Sequence, residues 1–423
     1  MKFRVLKFKK VLLCCLCLPL LGLIPRTLPP TARAARISPA LKNDLMTICN
    51  RVKHRTLEKF TTVYQDGRAF VATGDIDDAW IRDSTIQMRS YLHVKQLRPL
   101  VERFIKTLAF YLVQDPYANS FRRHYKKGSE MLRRGGWVAT GNWEPDSHAY
   151  FIHFLCDFGF FQDTAVATAL DLILDTLIVE QNHTASPYTY PELPNNGKGS
   201  AVKYTGLVWG GFRPSDDAQM YGYNIPVNMF LHSALTKLQR HMEDNRLWKL
   251  TRGIENGISK YGIVNGEYVY EVDGLGNYLL ADDANIPSLL SMPLLNYTYF
   301  NTMAYAKTRS RILSASNPFY YKGSVFEGVG SPHTPSGSVW PLAVITRAMT
   351  STDPDEIARQ LEMLILMTEG SGSFHESVNV NNKDVWTRSD FCWADSAFVM
   401  LIQMLFPKEC STDDFQMNKL QYD

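Results

Sequence analysis

Carboxylates gather in three loop-like runs of this chain, each among Trp, Arg, Tyr or His side chains. The first is Gly74-Asp75-Ile76-Asp77-Asp78-Ala79-Trp80-Ile81-Arg82-Asp83-Ser84, five charges in eleven positions. An exposed acidic loop has no need of Trp80, and Arg82 beside Asp83 suits bidentate hydrogen bonds to hydroxyls. The second is Gly211-Phe212-Arg213-Pro214-Ser215-Asp216-Asp217-Ala218, followed by Tyr221-Gly222-Tyr223-Asn224. Adjacent like charges in a closed site push one pKa upward, as a general acid requires. The third is Gly370-Ser371-Gly372-Ser373-Phe374-His375-Glu376-Ser377, where His375 and Ser377 flank a carboxylate that can orient a water. Cleaving a glycosidic bond takes such a pair: a protonated carboxyl at the leaving oxygen, and an ionised one that activates water or attacks the sugar. Each run also has a structural reading: an Arg–Asp pair, an Asp capping the next helix, an exposed loop Glu. Lesser elements are Trp143-Glu144-Pro145-Asp146-Ser147, Asp282-Asp283-Ala284-Asn285, His333 between two prolines, and Trp393 with Asp395.

Other chemistries find no foothold. A phosphate-binding Gly loop, a Gly-x-Ser-x-Gly elbow and a His-Glu-x-x-His helix are all missing from the sequence. The histidines are scattered without zinc spacing, and the first acidic run lacks the calcium-loop pattern. The expectation is an enzyme with no metal and no cofactor. The 45% hydrophobic and 21% charged composition provides for a large core, and the 12% aromatic content suits a sugar-stacking pocket as well as that core. The net charge of +3 misleads, because residues 1–34 carry seven Lys or Arg and no acid. Beyond them stand 38 basic against 42 acidic side chains, which points away from nucleic acid and from anionic membrane surfaces.

The elements that must position these runs are mostly helical. Apolar periodicity predicts helices over about 38–60, 84–112, 147–161, 163–180, 225–243, 246–260, 286–313, 337–349, 353–370 and 391–405. Asp353-Pro354-Asp355-Glu356 is a helix start, and Gly370 can close that helix. Asn-Ile-Pro at 224–226 and again at 285–287 reads each time as the opening of an apolar helical run. Tyr268–Val272, the turn 273–277 and Tyr278–Leu280 read as one small hairpin. No linker divides the chain, so residues 35–423 read as a single helical domain. Ahead of it, a basic start, the apolar run Val11–Ile24 and Ala32-Arg33-Ala34 read as a signal peptide over 1–34, or alternatively an uncleaved membrane anchor. The expectation is a secreted or secretory-pathway (periplasmic) protein without a stable membrane partner once the signal is removed. Cys49, Cys156, Cys392 and Cys410 then permit two disulfides in three connectivities, with Cys392 alternatively a buried thiol. Asn182 and Asn296 head glycosylation sequons. The oligomeric state is left open.

The order of these motifs resembles glycoside hydrolase family 125, the exo-α-1,6-mannosidases. The resemblance is carried by Gly74–Ser84, Gly211–Ala218 with Tyr-Gly-Tyr after it, Asp282–Pro287, Ser331–Pro335 with Trp340-Pro341, His375-Glu376-Ser377 and Trp393–Phe398. It implies an all-α (α/α)6 barrel with a small β-hairpin insertion and the pocket at one mouth. It further implies a metal-independent, inverting enzyme acting on a mannose-containing glycan, with Asp216 as general acid and Glu376 as general base. Arg82 and Asp83 are then grips on the terminal mannose, with Asp75 and Trp80 close by. Glu144, Asp146, Arg213, Asp217, Asn224, His333, His375 and Trp393 are binding or lining residues. The chain departs from the family pattern around Trp143–Ser147. Two rival readings stand beside this one: a related (α/α)6 hydrolase of α-glucosides, and a glycan-binding protein without turnover.

Overall fold

The computed structural model describes residues 7–8, 29–127, 134–368 and 371–423. The apolar run of the proposed signal and the Gly370 stop lie outside the described residues. Helices start where short polar side chains can satisfy their first N–H groups. Ser38 Oγ accepts from the Leu41 amide (3.1 Å) at the head of α1 (Pro39–Val52). Asp163 accepts from Ala165 (2.8 Å) and Val166 (3.3 Å) at α5 (Thr164–Gln181), following α2 (Ile81–Arg89), α3 (Arg98–Gln114) and α4 (Pro145–Phe158). Asn224 caps α6 (Ile225–Leu238), Asp244 α7 (Asn245–Tyr261), Asn301 α8 (Thr302–Ile312) and Asp353 α10 (Pro354–Met367), which follows α9 (Pro341–Thr350). The last of these helices is α11 (Cys392–Leu405).

Two kinds of helix alternate along the chain. In α4 every residue but Asp157 is buried, and α6 and α11 are nearly as enclosed. On α7, by contrast, Leu247, Leu250, Ile254 and Ile258 form one buried stripe while Trp248 and the remaining face meet solvent. The enclosed helices form an inner ring in which α2 packs on α4, α4 on α6, α9 on α11, and α11 back on α2. The striped helices lie outside them: α3 against α5, α5 against α7, and α10 against α1. This alternation is an (α/α)6 barrel. Truncating a fully buried inner-ring side chain such as Leu155 or Leu235 to Ala costs about 2–5 kcal/mol.

Three expected helices are shorter or broken. The 38–60 prediction stops at Val52 and resumes as the turn Arg55–Lys59. The 84–112 prediction is two helices, because Pro99 opens a new one at Arg98. The 286–313 prediction holds only over Thr302–Ile312. Upstream, Pro287 and Pro293 withhold backbone donors, and only the 3-10 turn Met292–Leu294 forms. Asp282 takes the Leu289 (2.7 Å) and Leu290 (2.9 Å) amides there, so the second Asn-Ile-Pro opens a buried run of turns rather than a helix. That run supplies the remaining inner position, its Ile286 carbonyl accepting from Tyr150 of α4 (2.6 Å).

The hairpin forms as Glu271–Val272 paired with Tyr278–Leu279, and Tyr223–Asn224 adds a third strand. Other short strands precede inner helices. Asp78–Trp80 pairs with Ser120–Arg122, which pairs with Val138–Thr140. Ser338–Val339 pairs with Ser377–Asn379, which pairs with Asn382–Thr387. A disulfide joins Cys49 of α1 to Cys410 near the C-terminus, Cα atoms 6.0 Å apart, while Cys156 and Cys392 are buried free thiols.

Candidate active site

A pocket of about 290 Å³ opens among the loops that lead into the inner helices. Thr73 and Trp80 precede α2, Thr140 and Asn142 precede α4, Ser215 and Asp216 precede α6, His333 and Trp340 precede α9, and Glu376 and Arg388 precede α11. The pocket therefore faces the N-terminal ends of the ring, where aligned peptide dipoles favour negative charge. Trp80, Trp340, Phe391 and Trp393 give it aromatic walls.

Asp216 sits at the tip of a tight turn with φ at 70°, closed by its own amide donating to the Arg213 carbonyl (2.9 Å). Its carboxylate collects neutral donors: Asn119 Nδ2 (2.5 Å), Asn142 Nδ2 (3.1 Å) and Trp80 Nε1 (3.1 Å). Arg82 Nη2 lies 3.8 Å away. Asp217, one residue on, turns elsewhere: it accepts from Ser215 Oγ (2.6 Å) and stands 3.6 Å from His333 Nδ1. Asp217 pushes the His333 imidazolium up to about 9, against the opposing effect of burial. Burial raises Asp217 itself, but His333 and Ser215 outweigh that and hold it below the ordinary carboxylate range.

Glu376 lines the same pocket as Asp216. Thr387 Oγ1 donates to its Oε2 (3.0 Å), and Arg388 Nη1 lies 3.9 Å from Oε1. Arg388 is fixed from behind by Asp75, whose Oδ1 accepts from Nε (2.8 Å), and by the Thr73 carbonyl (2.9 Å). Asp75 thus supports Arg388 rather than lining the pocket. Gly74 makes this closeness possible: a Cβ there would lie 2.1 Å from the Asp390 carbonyl oxygen, so the first run touches the segment leading into α11 backbone to backbone. His375 points away from the pocket, contacting the Arg388 carbonyl through Nδ1 (2.7 Å) and stacking on Trp386 at 4.0 Å.

Arg82 is the hub of the floor. It donates to Glu144 Oε2 (2.7 Å), reaches Asp146 Oδ2 (3.4 Å) and Asp83 Oδ2 (3.3 Å), and lies 4.8 Å over the Trp393 ring. Burial first, then the crowd of like charges, raises the carboxyls around it. Glu144 lies well above its ordinary value and Asp146 reaches about 6, although Arg82 pulls both down. Glu144 and Asp146 stand behind Arg82, outside the pocket lining. Arg213 likewise stands back, paired with Glu271 (2.6 Å), and Asn224 is the cap of α6. Of the residues singled out in the sequence, Trp80, Arg82, Asp83, Asp216, His333, Glu376 and Trp393 meet in the pocket.

Asn119, Asn142 and Arg388 belong to the site without having been expected. Lone asparagines carry no signal, and Arg388 follows an exposed strand whose only oddity is its own φ of 53°. Among the described residues no group of three or more His, Cys, Asp or Glu is arranged to hold a metal ion.

The arrangement offers two carboxylates, one ringed by amide and indole donors and one beside a hydroxyl and a guanidinium, across an aromatic-walled pocket. Comparison with known proteins agrees with that chemistry. Residues 42–403 match the family model described as metal-independent α-mannosidase (GH125). A solved metal-independent α-mannosidase from Streptococcus pneumoniae, in a non-productive complex with α-1,6-mannobiose, is 32% identical. It superposes with a TM-score of 0.79 over 89% of this chain and 96% of that one. The Meiotically up-regulated gene 157 protein of Schizosaccharomyces pombe is 32% identical over 394 residues, 81% of this chain and 77% of its own. A glucoamylase from Saccharomycopsis fibuligera, 15% identical with a TM-score of 0.53 over 86% of this chain and 95% of its own, shares the fold. The chain therefore belongs to glycoside hydrolase family 125, the metal-independent α-mannosidases.

Proposed function

We propose that this chain removes terminal α-1,6-linked mannose from a glycan with inversion, Asp216 acting as general acid and Glu376 as general base. The observation that carries the assignment is the contrast within the second run. Asp216 lines the same pocket as Glu376, whereas Asp217 is engaged by His333 and Ser215. The Asn119, Asn142 and Trp80 donors stabilise the carboxylate that forms as Asp216 gives its proton to the departing oxygen, so they act most strongly in the transition state. Burial, and then the charge of Asp216, raises the Glu144 carboxyl well above its ordinary value, which suits it to share a proton with Asp216. Glu376, oriented by Thr387, takes the proton of the attacking water on the opposite side. The bound α-1,6-mannobiose of the pneumococcal relative supports the linkage. The Cys49–Cys410 disulfide supports an oxidising compartment, in keeping with the N-terminal sequence. We assign the protein to the secretory pathway or the cell exterior.

The test is α-1,6-mannobiose with excess EDTA, followed by NMR of the anomeric protons from the first minutes. β-Mannose appearing first, at a rate untouched by the chelator, is the expected result. α-Mannose first would remove Glu376 as a simple base, EDTA inhibition reversed by calcium or zinc would overturn metal independence, and cleavage of α-glucosides alone would replace the mannoside reading.

A further inference from the structure

The wall carrying Thr140 and Asn142 has a second face. Behind Gly141 lies a separate cavity of about 460 Å³, lined by Tyr117, Arg134, Tyr188, Thr189, Tyr190 and Asn196. Tyr188 ties it to the pocket wall: its hydroxyl donates to the Gly141 carbonyl (2.9 Å) and accepts from the Trp143 amide (3.0 Å). Tyr117 stacks on Tyr188 with ring centroids 5.1 Å apart, and the Arg134 guanidinium lies 5.0 Å over the Tyr188 ring. Tyr190 sets its ring edgewise on Phe212 at 5.0 Å, in the loop that ends in Asp216.

We propose that this cavity is a leaving-side subsite, holding the hexose units beyond the bond that is cut. The proposal rests on the mannosidase reading. The acid must stand beside the bond's bridging oxygen, so the remainder of the glycan departs on the Asp216 side, where Tyr190 marks the start of the second cavity. Its chemistry suits a neutral polyhydroxyl chain. Stacked tyrosines give an apolar floor, and Thr189, Asn196 and the Tyr190 hydroxyl give polar points at its rim. Arg134 is paired with Asp115 (2.9 Å), so the cavity presents no spare cation to select a phosphate.

The experiment compares kcat/KM for α-1,6-mannotetraose and α-1,6-mannobiose in the full chain, in Thr189→Arg and in Tyr190→Ala. Thr189 is exposed, so its arginine fills the cavity without touching the core. The wild type is expected to prefer the tetraose by about tenfold, and both variants to lose that preference through KM. A preference that survives in both variants, at wild-type melting temperature, overturns the subsite, as does a wild type without preference. A wild type that cleaves neither sugar sinks the mannosidase reading instead. The subsite is then read from binding of mannotetraose alone: affinity that falls about tenfold in Thr189→Arg sustains it, and unchanged or absent affinity overturns it.

Discussion

Asp216 and Asp217 are neighbours in sequence with different partners, Asn119, Asn142 and Trp80 for the one and His333 and Ser215 for the other, and substitution separates them. Asp216→Asn is expected to slow mannobiose hydrolysis by about 10²–10⁴-fold, yet to spare most activity on an aryl mannoside whose leaving group needs no proton. Equal losses on both substrates, or the same selective pattern in Asp217→Asn instead, would move the acid role. Asp217 has a different consequence, through His333. Because His333 is raised from 6.5 to about 9 in the folded chain, its pairing stabilises the fold fully below pH about 6.5 and is lost as pH rises through 9. The melting-temperature gap between wild type and His333→Gln should therefore be widest near pH 6 and closed near pH 10; a gap constant with pH would remove the ion pair from the account. These assignments show how far residue types alone can lead. Asp216, Glu376, Arg82 and Trp393 announce themselves, because carboxylates beside aromatic and cationic residues are uncommon in exposed loops. Asn119 and Asn142 do not, since a neutral amide in a turn looks the same whether it caps a strand or stabilises an acid. Nor could spacing show that Arg82 would spend its hydrogen bonds on Glu144 and Asp146, a matter of which helices meet.

At the scale of elements, the site is built from the short segments that enter the inner helices, and those segments are held by one another. The segment leading into α11 reaches the first run through Arg388, Asp75 and the contact at Gly74. Asp75→Asn removes the charge that anchors Arg388 while leaving the helices intact. It should lower kcat/KM about tenfold by loosening the guanidinium beside Glu376, with little change in melting temperature. A large drop in melting temperature with unchanged turnover per folded molecule would make Asp75 a stability residue only. Periodicity could predict the outer helices, whose buried stripes repeat every three or four residues. It could not separate the inner helices from the run 286–295, because both are buried on every side and neither shows a single apolar stripe. There the prolines and Asp282 decide the conformation. The mouth strands were missed for a related reason: two or three residues are too few to show alternation, and their pairing is set by the helices they connect.

At the scale of the whole molecule, the chain is closed on itself near its two ends. The Cys49–Cys410 disulfide links positions 361 apart in sequence, so Cys410→Ser should cost about 2–5 kcal/mol of stability, read by denaturant titration, while sparing kcat/KM below the melting transition. The N-terminal side makes a second closure. The turn Pro30–Arg33 packs on α10 and α11, and Arg33 is buried at 3% exposure. Its Nη1 donates to the Met349 carbonyl (3.1 Å), in the last turn of α9, where the helix dipole favours a cation, and lies 3.6 Å from Met404 Sδ. Arg33 is the middle residue of the small-x-small site, so cleavage after Ala34 would withdraw a buried cation from the barrel. A protein starting at Pro29 is therefore expected to melt about 2–4 °C above one starting at Ala35, the shift that a charged hydrogen bond gives in a barrel of this size. Arg33→Ala in the longer form should reproduce most of that loss, which separates the guanidinium from the rest of the removed segment. Equal melting temperatures for all three would mean that the body is complete from Ala35 and can be released there without penalty. The expected difference would mean that the barrel is more stable with residues on both sides of the Ala34–Ala35 bond, which weighs against cleavage there. Membrane fractionation of the full chain then decides between the two readings of Val11–Ile24: a membrane-bound enzyme is expected if the run stays joined as an anchor, and a released one if it is removed as a signal.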